Sequence, residues 1–72
     1  MIEVIYMVTL SDHDFMIERF HSILFLANNK IIIQLKKKKV EIIGIDLYID
    51  YYSKNEIRGK GQLVGVNFFD EK

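Results

Sequence analysis

One short polar segment holds the side chains best suited to acid–base or metal chemistry. Asp12, His13 and Asp14 follow one another, and His21 is the second of the two histidines. Consecutive residues of an extended chain point to opposite faces, so these three side chains do not converge on one ligand. A metal ion would need further ligands, and the chain has no cysteine. We therefore predict a polar turn between strands, a surface position for His21, and no metal site.

The hydroxyl groups and the glycine-rich segment are no closer to a catalytic pattern. Ser11, Ser22 and Ser53 each lie in a turn-like context. The run Gly59-Lys60-Gly61 lacks the spacing and the following serine or threonine of a phosphate-binding loop. We expect a protein that is not an enzyme, with no catalytic residues and no cofactor.

A run of four lysines is the strongest local charge: Lys36, Lys37, Lys38 and Lys39. Such a run is either a solvated bend between strands or a basic contact surface. Ten basic residues balance ten acidic ones, whereas nucleic-acid binders usually show a basic excess or a basic stripe. We therefore predict a bend first. A membrane-surface contact, contributing about 1 kcal/mol per lysine near anionic lipid, is the second interpretation.

The composition predicts one small all-β domain over residues 1–72. Half of the residues are hydrophobic, and twelve isoleucines, five valines and nine aromatic residues without proline favour strands. We expect an antiparallel meander of about six to eight short strands, forming a rolled sheet or a small sandwich. A core of this size is marginal and no disulfide stabilises it, so we also expect a homo-oligomer.

The sequence also bears on location. Glu3 stands where a signal peptide would carry a basic residue, and no apolar stretch approaches the roughly 18 residues of a membrane span. We expect an intracellular protein whose membrane contact is peripheral.

Apolar alternation predicts the central strand. Ile45, Leu47, Ile49 and Tyr51 would face a core, with Asp46, Tyr48 and Asp50 on the other side. Four further apolar runs cover residues 4–10, 31–35, 40–43 and 63–69. Turn residues separate them, among them Asn28-Asn29, a pair that tolerates positive φ.

The last third of the chain contains glycines where the apolar phase slips. Ile57 and Leu63 occupy odd-numbered positions, whereas Val66 and Phe68 occupy even-numbered ones. Because alternate positions of a strand face opposite sides, we predict a β-bulge near Gly65. A weak repeat links this region to the central strand. The segment 40–47 recurs seventeen positions later as 57–63. In each copy an apolar residue stands four positions before a glycine, and a leucine follows that glycine shortly after.

Residues 14–27 are ambiguous from their pattern. Apolar side chains recur there at helical spacing, and Ser11-x-x-Asp14 resembles a capping box, so one helix in an α+β fold is the alternative.

Paired aromatic residues indicate a contact surface. If Tyr51 and Phe68 enter the core, then Tyr52 and Phe69 are exposed, and Tyr48 lies beside Tyr52. Tyr48, Tyr52 and Phe69 would then form an interface. The alternative is a core on both faces of the sheet.

Two glycine-containing motifs resemble those of the YabP/YqfC family of sporulation proteins. The family motif apolar-x-Ile-x-Gly-x-x-Leu-x-Ile corresponds to the segment Val40-Glu-Ile42-Ile-Gly44-Ile-Asp-Leu47-Tyr-Ile49. The motif Ile-x-apolar-x-Gly-x-Ile corresponds to Ile57-Arg-Gly59-Lys-Gly61-Gln-Leu63, with Gly59 where an apolar residue is usual. An upstream pattern matches without a gap, so the resemblance covers the chain from about Val8 and is closest to the YqfC-like branch.

The resemblance implies structural roles for the motif residues Ile42, Gly44, Leu47, Ile49, Ile57, Gly61 and Leu63. It also implies two strands and a turn, not a helix, for residues 15–27. A hairpin is implied at the lysines, where the family's glycine is absent, so we expect a looser turn of about four residues.

The function implied by the resemblance is non-enzymatic. Family members act in spore coat or cortex assembly at the boundary between mother cell and forespore, with an integral membrane protein as partner. We therefore expect a cytoplasmic protein at the forespore membrane surface. Two alternatives stand beside this one: a small β binding module, for example a phage-type inhibitor of a host protein, and a single-stranded nucleic-acid binder using the lysines with Tyr48 and Tyr52.

Overall fold

The computed structural model describes residues 7–70, which form one antiparallel sheet of six strands. The strands are β1 (Met7–Leu10), β2 (Asp14–Glu18), β3 (Ser22–Leu26), β4 (Lys30–Gln34), β5 (Lys38–Tyr52) and β6 (Glu56–Asp70). Their order across the sheet is β1-β2-β6-β5-β4-β3. The all-β prediction is confirmed, and the alternative helix at 14–27 is replaced by β2, a turn and β3. Among residues 7–70 there is no helix of the length and apolarity needed to cross a membrane.

Four tight hairpin turns connect the strands. In each, the backbone N–H of one residue donates to the carbonyl three positions later: Ser11 to Asp14, Ala27 to Lys30, Leu35 to Lys38 and Ser53 to Glu56, at 2.8–2.9 Å. The polar turn predicted at residues 12–14 and the hairpin predicted at Asn28-Asn29 are both confirmed. Neither asparagine adopts a positive φ, although the pair tolerates one.

The lysine turn is tighter than expected. Only Lys36 and Lys37 lie between the bonded pair Leu35 and Lys38, so the predicted turn of about four residues is wrong. Two features tighten it without glycine. Leu35 is fully buried and anchors the turn in the core, and the Gln34 side-chain amide donates to the Leu35 and Lys38 carbonyls, at 2.8 and 3.1 Å.

β5 and β6 are each one long strand where the sequence pattern indicated separate runs. Bulges interrupt both. Ile43 pairs with Gly65 and Gly44 with Leu63, which leaves Val64 as the extra residue, so the bulge predicted near Gly65 is confirmed. β5 has bulges after Ile45 and after Ile49, the first containing Asp46 at φ 55°.

These bulges correct the predicted alternation of the central strand. Leu47 is buried and Ile49 packs against the core, as expected. Ile45 is 52% exposed and Tyr51 48% exposed, so their predicted core positions are wrong. An extra residue in a strand moves the following side chains to the opposite face, which a strict period of two does not anticipate.

The buried side chains come from one face of the bent sheet, here called the inner face. Its core consists of Phe15, Ile17, Phe20, Ile31, Ile33, Leu35, Val40, Ile42, Leu47 and Ile57. β2 supplies this core from one end of the long β5–β6 hairpin, and β4 supplies it from the other end. The sheet therefore rolls around a single core.

The sequence repeat has a structural counterpart. The Gly44 and Leu47 N–H groups donate to Asn29 and Asn28 in the β3–β4 turn, at 3.2 and 2.8 Å. On the other half of the sheet, the Gly61 and Leu63 N–H groups donate to His13 and Asp12 in the β1–β2 turn, both at 3.0 Å. Each glycine segment thus bends a long strand so that the tip of a short hairpin can bond to it.

Candidate interaction surfaces

The motif residues of the resemblance lie on the inner face and form the bend. Ile42 and Ile57 are fully buried, Leu47 is 4% exposed, and Ile49 and Leu63 pack against the core. A Cβ atom on Gly44 would lie 2.7 Å from Leu47 Cδ2, and one on Gly61 would lie 2.9 Å from the same atom. Leu47 therefore packs over both glycines. The motif is explained by packing and offers no side chain for chemistry.

The predicted aromatic interface is dispersed. Tyr48, Tyr52 and Phe69 are all exposed, by 53%, 63% and 49%. Tyr48 is opposite Lys60 and Tyr52 is opposite Ile57, and the bulge at Asp50 places the two tyrosines on different faces. Phe69 lies near the other end of the hairpin, opposite Lys39. The three rings therefore do not form one surface.

The two aromatic residues predicted for the core are also exposed. Tyr51 follows the bulge, pairs with Arg58 on the outer face, and lies 5.3 Å below its guanidinium. Phe68 does share the inner face with Val40, but near the end of β6 it stays 44% exposed. Tyr52, by contrast, turns toward the core side, with its ring centre 5.8 Å from that of Phe20.

The edge strand β3 carries the densest exposed apolar segment. Leu24, Phe25 and Leu26 are consecutive and are 49%, 48% and 56% exposed. β3 is the last strand of the sheet order, so one of its sides has no neighbouring strand among the described residues. No charged residue occurs between Ser22 and Asn29. The helical spacing of apolar residues at 14–27 conceals this surface in the sequence, although the uncharged run of large side chains from Ile23 to Leu26 indicates it.

The lysines form a second surface with residues distant in sequence. β5 begins where β6 ends, so Lys38 is opposite Asp70, Lys39 opposite Phe69 and Val40 opposite Phe68. Lys38 Nζ lies 2.6 Å from Asp70 Oδ1. Tyr48 and Tyr52 lie toward the other end of β5. Tyr48 and Tyr52 therefore do not form, together with the lysines, the surface predicted for stacking nucleic-acid bases.

A groove of about 240 Å³ lies on the outer face between β1, β2, β5 and β6. Its two basic groups are paired with acids: Lys60 Nζ is 3.8 Å from Asp50 Oδ2, and the Arg58 guanidinium donates to Glu56. Asp14, also in the lining, accepts a hydrogen bond from Ser11. The hydrogen bond and negative charge of Glu56 raise the pKa of Arg58 above its ordinary value. The groove thus presents little net charge to a ligand.

The polar residues singled out for metal or acid–base chemistry belong to a turn. Ser11 Oγ donates to the Asp14 carboxylate and accepts from the backbone N–H of Asp14 at 3.1 Å. His21 is exposed between β2 and β3. Within residues 7–70, no group of three or more histidine, cysteine or acidic side chains is placed to hold a metal ion.

None of the protein-family models, curated proteins or solved structures compared with the chain matches it.

Proposed function

We propose that this chain is a non-enzymatic interaction protein of endospore formation that binds a protein partner along the open edge of β3. One observation carries the proposal: three consecutive large apolar side chains, Leu24, Phe25 and Leu26, are about half exposed on an edge strand. Large exposed apolar groups that lie together are typical of protein interfaces.

The edge suits the addition of a strand from a partner. An edge strand presents unpaired backbone N–H and C=O groups, and an extended partner segment can bond to them while its side chains meet those of β3. Proteins that keep an edge free usually place lysine, proline or inward charges on it. The segment from Ser22 to Leu26 has none of these, although it also has a bulge between Ile23 and Phe25.

The setting of the proposal comes from the family resemblance. It supports a role in coat or cortex assembly at the forespore membrane, with an integral membrane protein as the partner. A phage-type inhibitor that binds a host protein would use the same edge. Gene neighbourhood separates the two candidates, because a sporulation protein would lie beside a gene for a membrane protein and an inhibitor among phage genes.

Binding at β3 can be tested with matched lysine substitutions. The chain is co-expressed with the membrane protein encoded beside it, and the amount that co-purifies is measured. Phe25→Lys should abolish co-purification, because a desolvated ammonium at the edge opposes strand addition. Val64→Lys adds the same charge at a 66% exposed position on β6 and should leave it unchanged. Equal loss in both variants, or in neither, contradicts binding at β3.

The biological setting is tested by transcript measurements in the native host. The messenger should be absent during growth and appear during endospore formation. Constant expression, or a host that forms no endospores, contradicts the sporulation role.

A further inference from the structure

We propose that the lysine end of the molecule, defined as residues 36–39 with Phe68 and Phe69, binds the surface of an anionic lipid bilayer. This inference goes beyond the proposed function, because it concerns direct contact with lipid and not with the partner protein. It rests on a juxtaposition that the sheet creates between two segments some thirty residues apart, the lysine turn and the end of β6.

Among the described residues, the charges at this end are mainly basic. Lys36 and Lys37 are exposed at the tip of the β4–β5 turn, and Lys38 and Lys39 begin β5. Among the described residues the acid paired with this run is Asp70, which lies against Lys38. Within residues 7–70, Lys36 and Lys37 therefore give the tip a positive charge, which a bilayer containing acidic lipids attracts.

Apolar rings adjoin this charge. Phe69 is opposite Lys39 on the outer face, and Phe68 is opposite Val40 on the inner face, so one ring lies on each side of the strand end. They are 49% and 44% exposed. Aromatic rings next to lysines whose chains reach toward lipid headgroups are typical of proteins that lie on a membrane. The lysine charge alone would attract the protein to an anionic bilayer. The two phenylalanine rings add apolar groups that can insert among the lipids.

Three cations on β4 and β6 favour a bilayer over a nucleic acid. A bound strand would need a basic groove or stripe leading away from the turn. Lys30 lies 3.5 Å from Glu41 and Lys60 lies 3.8 Å from Asp50, while Arg58 is bonded to Glu56. These strands therefore carry no basic stripe leading away from the turn, and the adjacent lysines stand at the tip, where a flat surface can meet them.

Vesicle sedimentation tests the proposal on the full chain. Vesicles of phosphatidylcholine are compared with an equimolar mixture of phosphatidylcholine and phosphatidylglycerol at low and high salt. We expect binding to the mixture only, and weaker binding as salt screens the lysines. Lys36→Gln should lower the partition coefficient about fivefold. Lys54→Gln removes the same charge from the distant, exposed β5–β6 turn and should leave it unchanged.

The contribution of the rings is tested in the same assay. Phe69→Ser should weaken binding, whereas Tyr48→Ser, at an aromatic residue of similar exposure away from the lysine end, should not. Circular dichroism confirms that each variant is folded.

Four results would overturn the proposal: no binding to anionic vesicles at low salt, equal effects of Lys36→Gln and Lys54→Gln, no loss with Phe69→Ser, or tighter lysine-dependent binding to single-stranded DNA than to vesicles. The last would assign the surface to nucleic acid. Because β3 lies outside this surface, the Phe25→Lys variant should bind vesicles normally. Loss of vesicle binding and loss of partner binding can therefore be told apart.

Discussion

The ring of Phe15 lies directly over Gly59, its partner across the β2–β6 pair. A Cβ atom on Gly59 would be 2.1 Å from Phe15 Cζ and 2.3 Å from Cε1. Phe15 is 2% exposed, so a displaced ring would have to disturb the core packed around it. The aromatic residue occupies the volume that a side chain at position 59 would fill. Gly59, which stands where the resembled YabP/YqfC motif has an apolar residue, is therefore matched by this packing.

Gly59→Ala should destabilise the fold. The added methyl group must displace a buried ring, and overpacking of this kind costs about 1–3 kcal/mol. Urea unfolding measures the loss. Gly65→Ala is the matched control, because no atom lies within 4 Å of a Cβ built there, and its effect should stay within about 0.5 kcal/mol. Combining Gly59→Ala with Phe15→Leu should recover part of the loss, and strict additivity would contradict the packing described.

Two isoleucines should differ sharply in their contribution to stability. Ile57 is fully buried and Ile45 is 52% exposed. Ile57→Ala leaves a cavity and should lower the free energy of unfolding by about 2–5 kcal/mol. Ile45→Ala should change it by less than about 1 kcal/mol. Similar losses in chemical denaturation would show that Ile45 faces the core, as the simple alternation had predicted.

The bulge at Asp46 should tolerate glycine but not a β-branched residue. Asp46 has a φ of 55°, a conformation open to glycine and accessible to aspartate. Asp46→Gly should leave stability within about 1 kcal/mol, whereas Asp46→Val should lower it by about 1–3 kcal/mol. Thermal unfolding followed by circular dichroism compares the two. A valine variant as stable as the wild type would rule out the left-handed conformation.

The exposed edge of β3 should also govern aggregation. Uncharged, apolar edge segments promote pairing between chains, and a lysine interrupts it. Leu24→Lys should therefore slow the rise of light scattering on heating, with little change in the free energy of unfolding because Leu24 is about half exposed. Lysine at Val64, outside the edge, should not slow it. Equal protection by both substitutions would indicate a general effect of charge.

Much of the architecture follows from local chemistry. The abundance of β-branched and aromatic residues predicts strands, and polar or asparagine pairs mark two of the hairpin turns. The phase slip between Leu63 and Val66 predicts a bulge near Gly65, because side chains on one strand must return to the same core, and the structure has Val64 as the extra residue. The lysines mark a turn because four adjacent ammonium groups resist burial.

Other features required the folded sheet. The burial of Leu35 and the amide of Gln34 tighten the lysine turn, and neither effect is visible in the turn residues themselves. Bulges at Asp46 and Asp50 decide which of Ile45, Leu47 and Tyr51 face the core. Those bulges depend on how β5 registers against β6, a pairing between distant segments.

The amino-acid sequence by itself determined an all-β chain, the positions of its hairpins, and the glycines around which the sheet bends. Those properties are local, since they depend on side-chain shape, turn chemistry and alternation over a few residues. Only the tertiary structure decided which surfaces are exposed. It left Leu24, Phe25 and Leu26 on an edge and placed Phe68 and Phe69 beside the lysines. Strand order and register bring distant residues together, and no spacing within a short segment encodes them.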